Sequence, residues 1–513
     1  MRVILIISDT FRYDLLAKEG KMAASTPELD QLIEDSVFFE RHYAGSFPTV
    51  PHRFDMYTGT CGFPYRGWEI LGPKDITLGE ILMDHGYITQ LIADTANLLR
   101  RGMNYDRGYL GYYLTRGQER DIYLTKMNRP IEYVIPLAKS RHTTYFRDHA
   151  QVDIARWIND EWLWEEDRFA ARTCQVAGRW LESNYKEENF FLHLDMFDPH
   201  EPWDPPEYFV AKYADPEYKG TPMMYPNYGP ADIFTEAEID NMSAHYKAEA
   251  EMTSKWIGNV IRKIKDVGIY DESLIIFASD HGLYLGEHNR TGKLNISKDD
   301  KRGPWPLYEE LIRVPLAIKM PGNKLAGKRI TEIVQPVDLL PTILDIAGIS
   351  TDQKLPAKAL LPDREIIMEN PGIILGREKG LNPLDGKSLV PLMENDAISW
   401  DRRYAFSSQK VGRVGGQTSG PMPVLPEAED TVNWITVTGK QHALVIGGKR
   451  DDLPELYDLE SDGRQANNIF SEKRELAQEM AGALFTYLEQ NNVESDLIDI
   501  YRTRLDIGDK TDA

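Results

Sequence analysis

Short, strongly apolar runs recur along the chain and end abruptly in polar residues, at positions 3–7, 88–92, 190–194 and 274–278. Runs of this length, rich in Val, Ile, Leu and Phe, predict strands buried on both faces of a parallel sheet. Between them the apolar spacing turns helical, predicting helices over 26–35, 77–85, 170–185 and, longest of all, 235–266. Strands alternating with helices predict an α/β fold, a large mainly parallel sheet sandwiched by helices. In such sheets functional groups gather at the carboxyl ends of the strands. Asp9, Asp195 and Asp280 fall at or just past three of those ends.

Two stretches break the pattern. Residues 105–164 are rich in Arg, Tyr and Trp without a clear period, which predicts an inserted cap or loop-rich wall. Scattered Pro and Gly over 351–400 mark a second change; beyond it, 432–446 reads as a hairpin and 472–490 as an amphipathic helix. The expected organisation is a large domain over 1–390 and a smaller C-terminal α+β subdomain over 391–513. There is no internal repeat and no low-complexity tract.

Composition narrows the function classes. A chain of 513 residues can bury a large core and still carry a second, smaller unit. Its formal net charge of −22 disfavours nucleic acid and anionic membranes as partners, yet a locally positive pocket can still take a small anionic substrate. No apolar run reaches the roughly 18 residues of a transmembrane helix. The first residues lack the long apolar region and small-residue cleavage site of a signal peptide, so a cytoplasmic location is expected. Homo-oligomerisation is left open. With only Cys61 and Cys174, a disulfide framework is excluded, and both are expected to be buried structural thiols.

The candidate chemistry starts at the strand ends. Asp9 follows the first run and Asp280-His281 the fourth, which would bring oxygen and nitrogen donors to one rim, where a divalent cation fits. Taken singly, an Asp after a strand is more often a helix N-cap than a ligand. Thr49 changes that balance. It sits in Gly45-Ser-Phe-Pro-Thr-Val-Pro-His-Arg53, and the turn before Pro51 predicts a helix start. Its hydroxyl would then lie where developing negative charge is favoured.

These segments, with others in the same order, resemble the sulfatase family of the alkaline phosphatase superfamily, including its phosphonate monoester hydrolase branch. Asp9-Thr-Phe-Arg-Tyr-Asp14 is similar to the family's D-D-x-R-x-D segment, and Thr26-Pro-Glu-Leu-Asp30 to its T-P-N-L-D helix. Thr49-Val-Pro-His-Arg53 followed by Thr58-Gly59 resembles C/S-x-P-x-R with its downstream T-G, where the first residue matures to formylglycine. Asp198-Pro-His-Glu-Pro202, Ser279-Asp-His-Gly282, Leu285-Gly-Glu-His288, Gly292-Lys293, Arg313-Val-Pro315 and Glu455-Leu-Tyr-Asp-Leu459 follow in order. The resemblance implies an alkaline phosphatase-like fold. It also implies one divalent metal ion (Mn, Zn, Ca or Mg) held by Asp9, Thr10, Thr49, Asp280 and His281. Arg53 would hold the nucleophile and neutralise charge. His200 and Lys293 would bind the substrate oxyanion or protonate its leaving group. His288 is expected to be a structural partner at the base of its loop.

The departures carry as much information. Thr10 replaces the second family aspartate, removing one negative charge. The G-K-W-H segment of arylsulfatases is here Ala93-Asp-Thr-Ala96, so Asp94, Thr95 and Asn97 would contact the substrate instead. Formylglycine works as a hydrate with two hydroxyls, whereas Thr49 has one. A covalent Thr ester must therefore be cleared by water at phosphorus or sulfur. The expected function is metal-dependent hydrolysis of phosphodiesters or phosphonate monoesters through a covalent Thr49 intermediate. A sulfatase using Thr49 is the alternative. A catalytically silent oxyanion-binding scaffold is disfavoured by retention of Asp9, Asp280, His281, Arg53, His200 and Lys293.

Overall fold

The computed structural model describes residues 1–16, 22–118, 121–124, 157–226, 228–293, 305–350, 384–413 and 431–506, with the short strands Leu360–Leu361 and Arg364–Glu365. Eight of its strands form one sheet: β1 (Arg2–Ser8), β2 (Val37–His42), β3 (Ile88–Ala93), β4 (Gly111–Leu114), β5 (Phe190–Met196), β6 (Ser273–Ser279), β7 (Leu316–Lys319) and β8 (Arg329–Val334). Their order across the sheet is β8-β2-β7-β6-β1-β5-β3-β4. β1 lies between β5 and β6 and is parallel to both, and β3 is parallel to β5 and β4. Of the eight, β7 alone runs against its neighbours β2 and β6. The four runs expected as strands are β1, β3, β5 and β6, each within two residues at either end.

The apolar run of β1 serves both faces at once because successive side chains alternate across a strand. Val3, Leu5 and Ile7 join one core cluster, while Ile4 and Ile6 join the other, and all five are buried. Helices cover both faces. On the first lie α2 (Thr49–Thr58), α3 (Leu78–Asp84) and α6 (Leu339–Ile346), and on the second α1 (Pro27–Glu34), α4 (Phe169–Asn184) and α5 (Glu236–Asp266). The expected starts of α3 and α5 are fixed by capping boxes, Thr77 with Glu80 and Thr235 with Glu238. Each fully buried Leu or Ile in these clusters contributes about 1.5–3 kcal/mol of transfer free energy. No helix among the described residues is long and apolar enough to cross a membrane.

Part of the expected wall belongs to the sheet. Tyr105 and Tyr109 are core residues and β4 extends the sheet beyond β3, while 119–120 and 125–156 lie outside the described residues. In the 351–400 stretch, the helix Val390–Glu394 drives Leu392 and Met393 into the first core cluster. The smaller sheet then runs β9 (Ala405–Ser408), β10 (Thr431–Thr438), β11 (His442–Lys449) and β12 (Glu455–Asp458), all antiparallel. Helices α7 (Arg474–Gln490) and α8 (Ser495–Asp506) pack on it through a separate apolar cluster. The two units are joined directly ahead of α2: Phe47 N donates to the Ser408 carbonyl at 2.9 Å, Ser408 N to the Gly45 carbonyl at 3.1 Å, and the Ser407 hydroxyl to the Ala44 carbonyl.

Candidate active site

Asp9 and Asp280 leave adjacent parallel strands, β1 and β6, at the same edge, so topology alone brings them together. With His281 they form a buried cluster in which one ligand atom from each lies within 4.8 Å of the others. The His281 Nδ1 proton can go only to the Gly282 carbonyl 3.0 Å away, which leaves Nε2 as a lone-pair donor. That Nε2 stands 3.8 Å from Asp9 Oδ1 and 3.5 Å from Asp280 Oδ2. Asp9 Oδ2 is buried without a hydrogen-bond partner. A carboxylate oxygen with no hydrogen bond, facing a second carboxylate and an imidazole lone pair, belongs to a donor set a divalent cation satisfies.

The electrostatics agree. Burial and the neighbouring Asp280 push Asp9 well above the ordinary carboxylate range. Burial also opposes charge on Asp280, but His281 and Arg53 hold it well below that range. Of those two, Arg53 is the permanent cation, since burial pulls His281 itself down to about 3 and leaves it neutral.

Thr49 opens α2, and its hydroxyl lies 3.3 Å from His281 Nε2. Arg53, one helical turn on, shares its face. It was expected to hold Thr49, but its fully buried guanidinium grips carboxylates instead. Nε and Nη2 each bond Asp195 at 3.0 Å, while Nη1 bonds Asp280 and approaches Asp9 Oδ2 at 3.4 Å. The reason is charge: a desolvated guanidinium gains more from anions than from a neutral hydroxyl.

Thr10 is held at φ 60°, a left-handed conformation that a β-branched residue adopts only under constraint. Four hydrogen bonds supply it. Its amide donates to Asp280 Oδ1 at 2.8 Å and its carbonyl accepts from Tyr246 at 2.6 Å. Its hydroxyl donates to Asp9 Oδ1 at 2.7 Å and accepts from Lys293 Nζ at 2.7 Å. Lys293 is thereby brought to the cluster; residues 294–304, which follow it, lie outside the described residues. His200 is also close. Its Nδ1 proton goes to the Glu201 carbonyl at 2.7 Å, and burial, then Lys293, holds it well below the ordinary histidine value.

Asp94, Thr95 and Asn97 follow β3 on the same rim, but the first two turn inward. Asp94 accepts from Thr173 at 2.9 Å and from the Phe197 amide, and Thr95 donates to Asp195 Oδ1 at 2.6 Å. Asn97 is buried in the short helix Ala96–Leu99. His288 meets Glu310 at 3.3 Å and stacks on Tyr308, as a partner at the base of its loop. Cys61 and Cys174 are free and buried.

Three contributors escaped the sequence reading. Asp195 anchors Arg53. Behind it stands His193, Nε2 3.6 Å from Asp195 Oδ2 and Nδ1 2.7 Å from the Tyr109 hydroxyl. Glu201, inside the Asp-Pro-His-Glu-Pro segment, is buried beside Lys293. Only the position of Asp195 at a strand end hinted at any of this.

Comparison with known proteins agrees with the fold. The sulfatase family model, described as "Sulfatase", matches residues 2–349. The chain is 23% identical over 497 residues to an arylsulfatase of Clostridium perfringens, covering 91% of this chain and 90% of that one. It is 25% identical over 420 residues to the multifunctional alkaline phosphatase superfamily protein PehA of Trinickia caryophylli, covering 70% and 76%. Among solved structures, the phosphonate monoester hydrolase of Agrobacterium radiobacter superposes with a TM-score of 0.65 at 21% identity, covering 96% and 95% of the two chains. With the family model spanning more than half its length, the chain belongs to the sulfatase family and is an ester hydrolase.

Proposed function

We propose that the protein hydrolyses phosphodiesters or phosphonate monoesters with the help of one divalent cation, using Thr49 as the nucleophile at the position that the resemblance assigns to formylglycine. The observation that carries this reading is the Thr49 hydroxyl, at the start of α2 and 3.3 Å from an imidazole of the cation cluster. Asp9, Asp280 and His281 would hold the cation, with the hydroxyls of Thr10 and Thr49 beside them. When bound, it supplies Lewis-acid stabilisation of negative charge.

The chain's own residues do the rest. Thr49 Oγ, its proton released to solvent, forms the new bond to phosphorus as the bond to the leaving oxygen breaks. The first turn of α2 and Arg53 favour the charge on the equatorial oxygens. Lys293 carries the proton that the leaving oxygen needs. His200 is neutral, its one ring proton committed to a carbonyl, so it orients rather than donates. Water then attacks phosphorus and frees Thr49. Sulfate-ester hydrolysis by the same steps is the second reading, favoured by the likeness to an arylsulfatase along 91% of the chain.

The test is a substrate panel with Thr49 variants. Phosphodiester or phosphonate kcat/KM should exceed aryl sulfate kcat/KM by well over tenfold. Thr49→Ala should remove nearly all turnover and Thr49→Ser keep a substantial part. Mass spectrometry after rapid quench should find one phosphoryl adduct on the peptide containing Thr49. Full activity in Thr49→Ala would overturn the assignment, and a preference for aryl sulfate would reverse the two readings.

A further inference from the structure

Glu201 is a buried carboxylate beside Lys293 that none of this chemistry uses. It is fully buried, and its Oε1 accepts from the Tyr228 hydroxyl. Its Oε2 has no hydrogen-bond partner and lies 3.6 Å from Lys293 Nζ and 3.5 Å from His200 Nδ1. The His200 proton is already given to the Glu201 carbonyl, so Lys293 is the cation that offsets this charge. Lys293 in turn touches Thr10, the neutral residue that stands where the family pattern has an aspartate. A negative charge absent beside Asp9 is thus present on the other side of the same lysine.

The charge tally of the pocket follows. Asp9, Asp195, Asp280 and Glu201 face two fixed cations, Arg53 and Lys293. With a divalent cation bound and Asp9 ionised as its ligand, this set would be neutral. Without Glu201 the loaded pocket would keep one net positive charge. Coulomb energy is linear in the ligand's charge and grows as water is excluded, so a buried carboxylate penalises a dianion twice as strongly as a monoanion.

Resting on the ester-hydrolase reading above, we infer that Glu201 is a charge-selecting residue, which cancels Lys293 and restricts the site to singly charged tetrahedral esters. Phosphodiesters, phosphonate monoesters and sulfate esters meet that condition. Doubly charged phosphate monoesters do not. Glu201 acts on selectivity through the field of the pocket and through Lys293, not by touching the reacting atoms.

The experiment measures binding rather than turnover. Methyl phosphate and dimethyl phosphate are titrated calorimetrically into the divalent-loaded protein at about pH 8, above the phosphomonoester second pKa of about 6, so the two differ by one charge. Glu201→Gln keeps the shape and the contact to Tyr228. It should tighten methyl phosphate by at least about tenfold and dimethyl phosphate by half as many decades. Tyr228→Phe, which leaves the charge in place, should leave the ratio of the two affinities at the wild-type value. Equal shifts for both anions in Glu201→Gln, or none, would overturn the inference while leaving the ester-hydrolase reading intact. Failure of the wild type to bind either anion would count against that reading, and this one with it.

Discussion

Replacing Asp195 by Ala tests the arrangement around Arg53 more directly than any change to the cation ligands. Arg53 and Asp195 are both fully buried and share two bonds of 3.0 Å. A hydrogen bond to a charged group is worth about 1.5–3 kcal/mol net, so two amount to roughly 3–6 kcal/mol. Arg53 keeps Asp280 and Asp9 as partners, so its charge is not left alone, and the loss falls at the lower end, about 3 kcal/mol. Asp195→Asn retains one carbonyl acceptor and should cost about half as much. The released guanidinium also has a second effect. No longer drawn toward Asp195, it concentrates its charge on Asp9 and Asp280 and weakens their hold on a divalent cation. The assay is urea unfolding followed by tryptophan fluorescence, with elemental analysis of the dialysed protein. An unfolding free energy for Asp195→Ala within about 0.5 kcal/mol of wild type, the range of a neutral surface change, would refute the reasoning. So would undiminished metal content.

Other expectations follow from the same geometry. Asp280→Ala should lose divalent cation and activity together while keeping its far-ultraviolet circular dichroism, and retained metal stoichiometry by elemental analysis would remove Asp280 from the cluster. Burial pulls His42 and His193 from 6.5 to about 4, so both are neutral in the fold and take up protons only when it opens. Their contribution is whole above about pH 6.5 and is lost as pH falls toward 4, by about 3 kcal/mol per histidine at 1.36 kcal/mol per pKa unit. A urea midpoint that stays level between pH 6.5 and 4.5 would contradict this.

What could be read in advance divides along physical lines. β1, β3, β5 and β6 were legible because strands covered on both faces must be apolar throughout. β2, β7 and β8 were not singled out. Val37–His42 turns polar halfway, Leu316–Lys319 is four residues long, and Arg329–Val334 has exposed polar positions as an edge strand. β4 does not read as a strand because its two tyrosines are exposed at the other edge. Asp9, Asp280 and His281 were visible since strand ends fix backbone position, and position is what a sequence pattern encodes. Side-chain pairing is not encoded that way. Arg53 meets Asp195 across 142 residues and Lys293 meets Thr10 across 283, and both choices were settled by packing and charge after folding. Asp94 shows the same limit, since its oxygens went to Thr173 and Phe197 rather than outward.

The stitch between Gly45–Phe47 and Ser408 bears on how the protein is made. Synthesis runs from the amino end, so Asp9, Thr49 and His281 have all left the ribosome before the strand that anchors the Thr49 turn exists. Until Ala405–Ser408 arrives, the nascent chain carries Asp9, Asp280 and His281 but lacks the hydrogen bonds just ahead of α2. The turn ahead of Thr49 therefore reaches its folded form only after residue 408 of the 513 has been made. A chain cut short before Ala405 would keep the three candidate ligands yet leave the turn ahead of Thr49 unpinned.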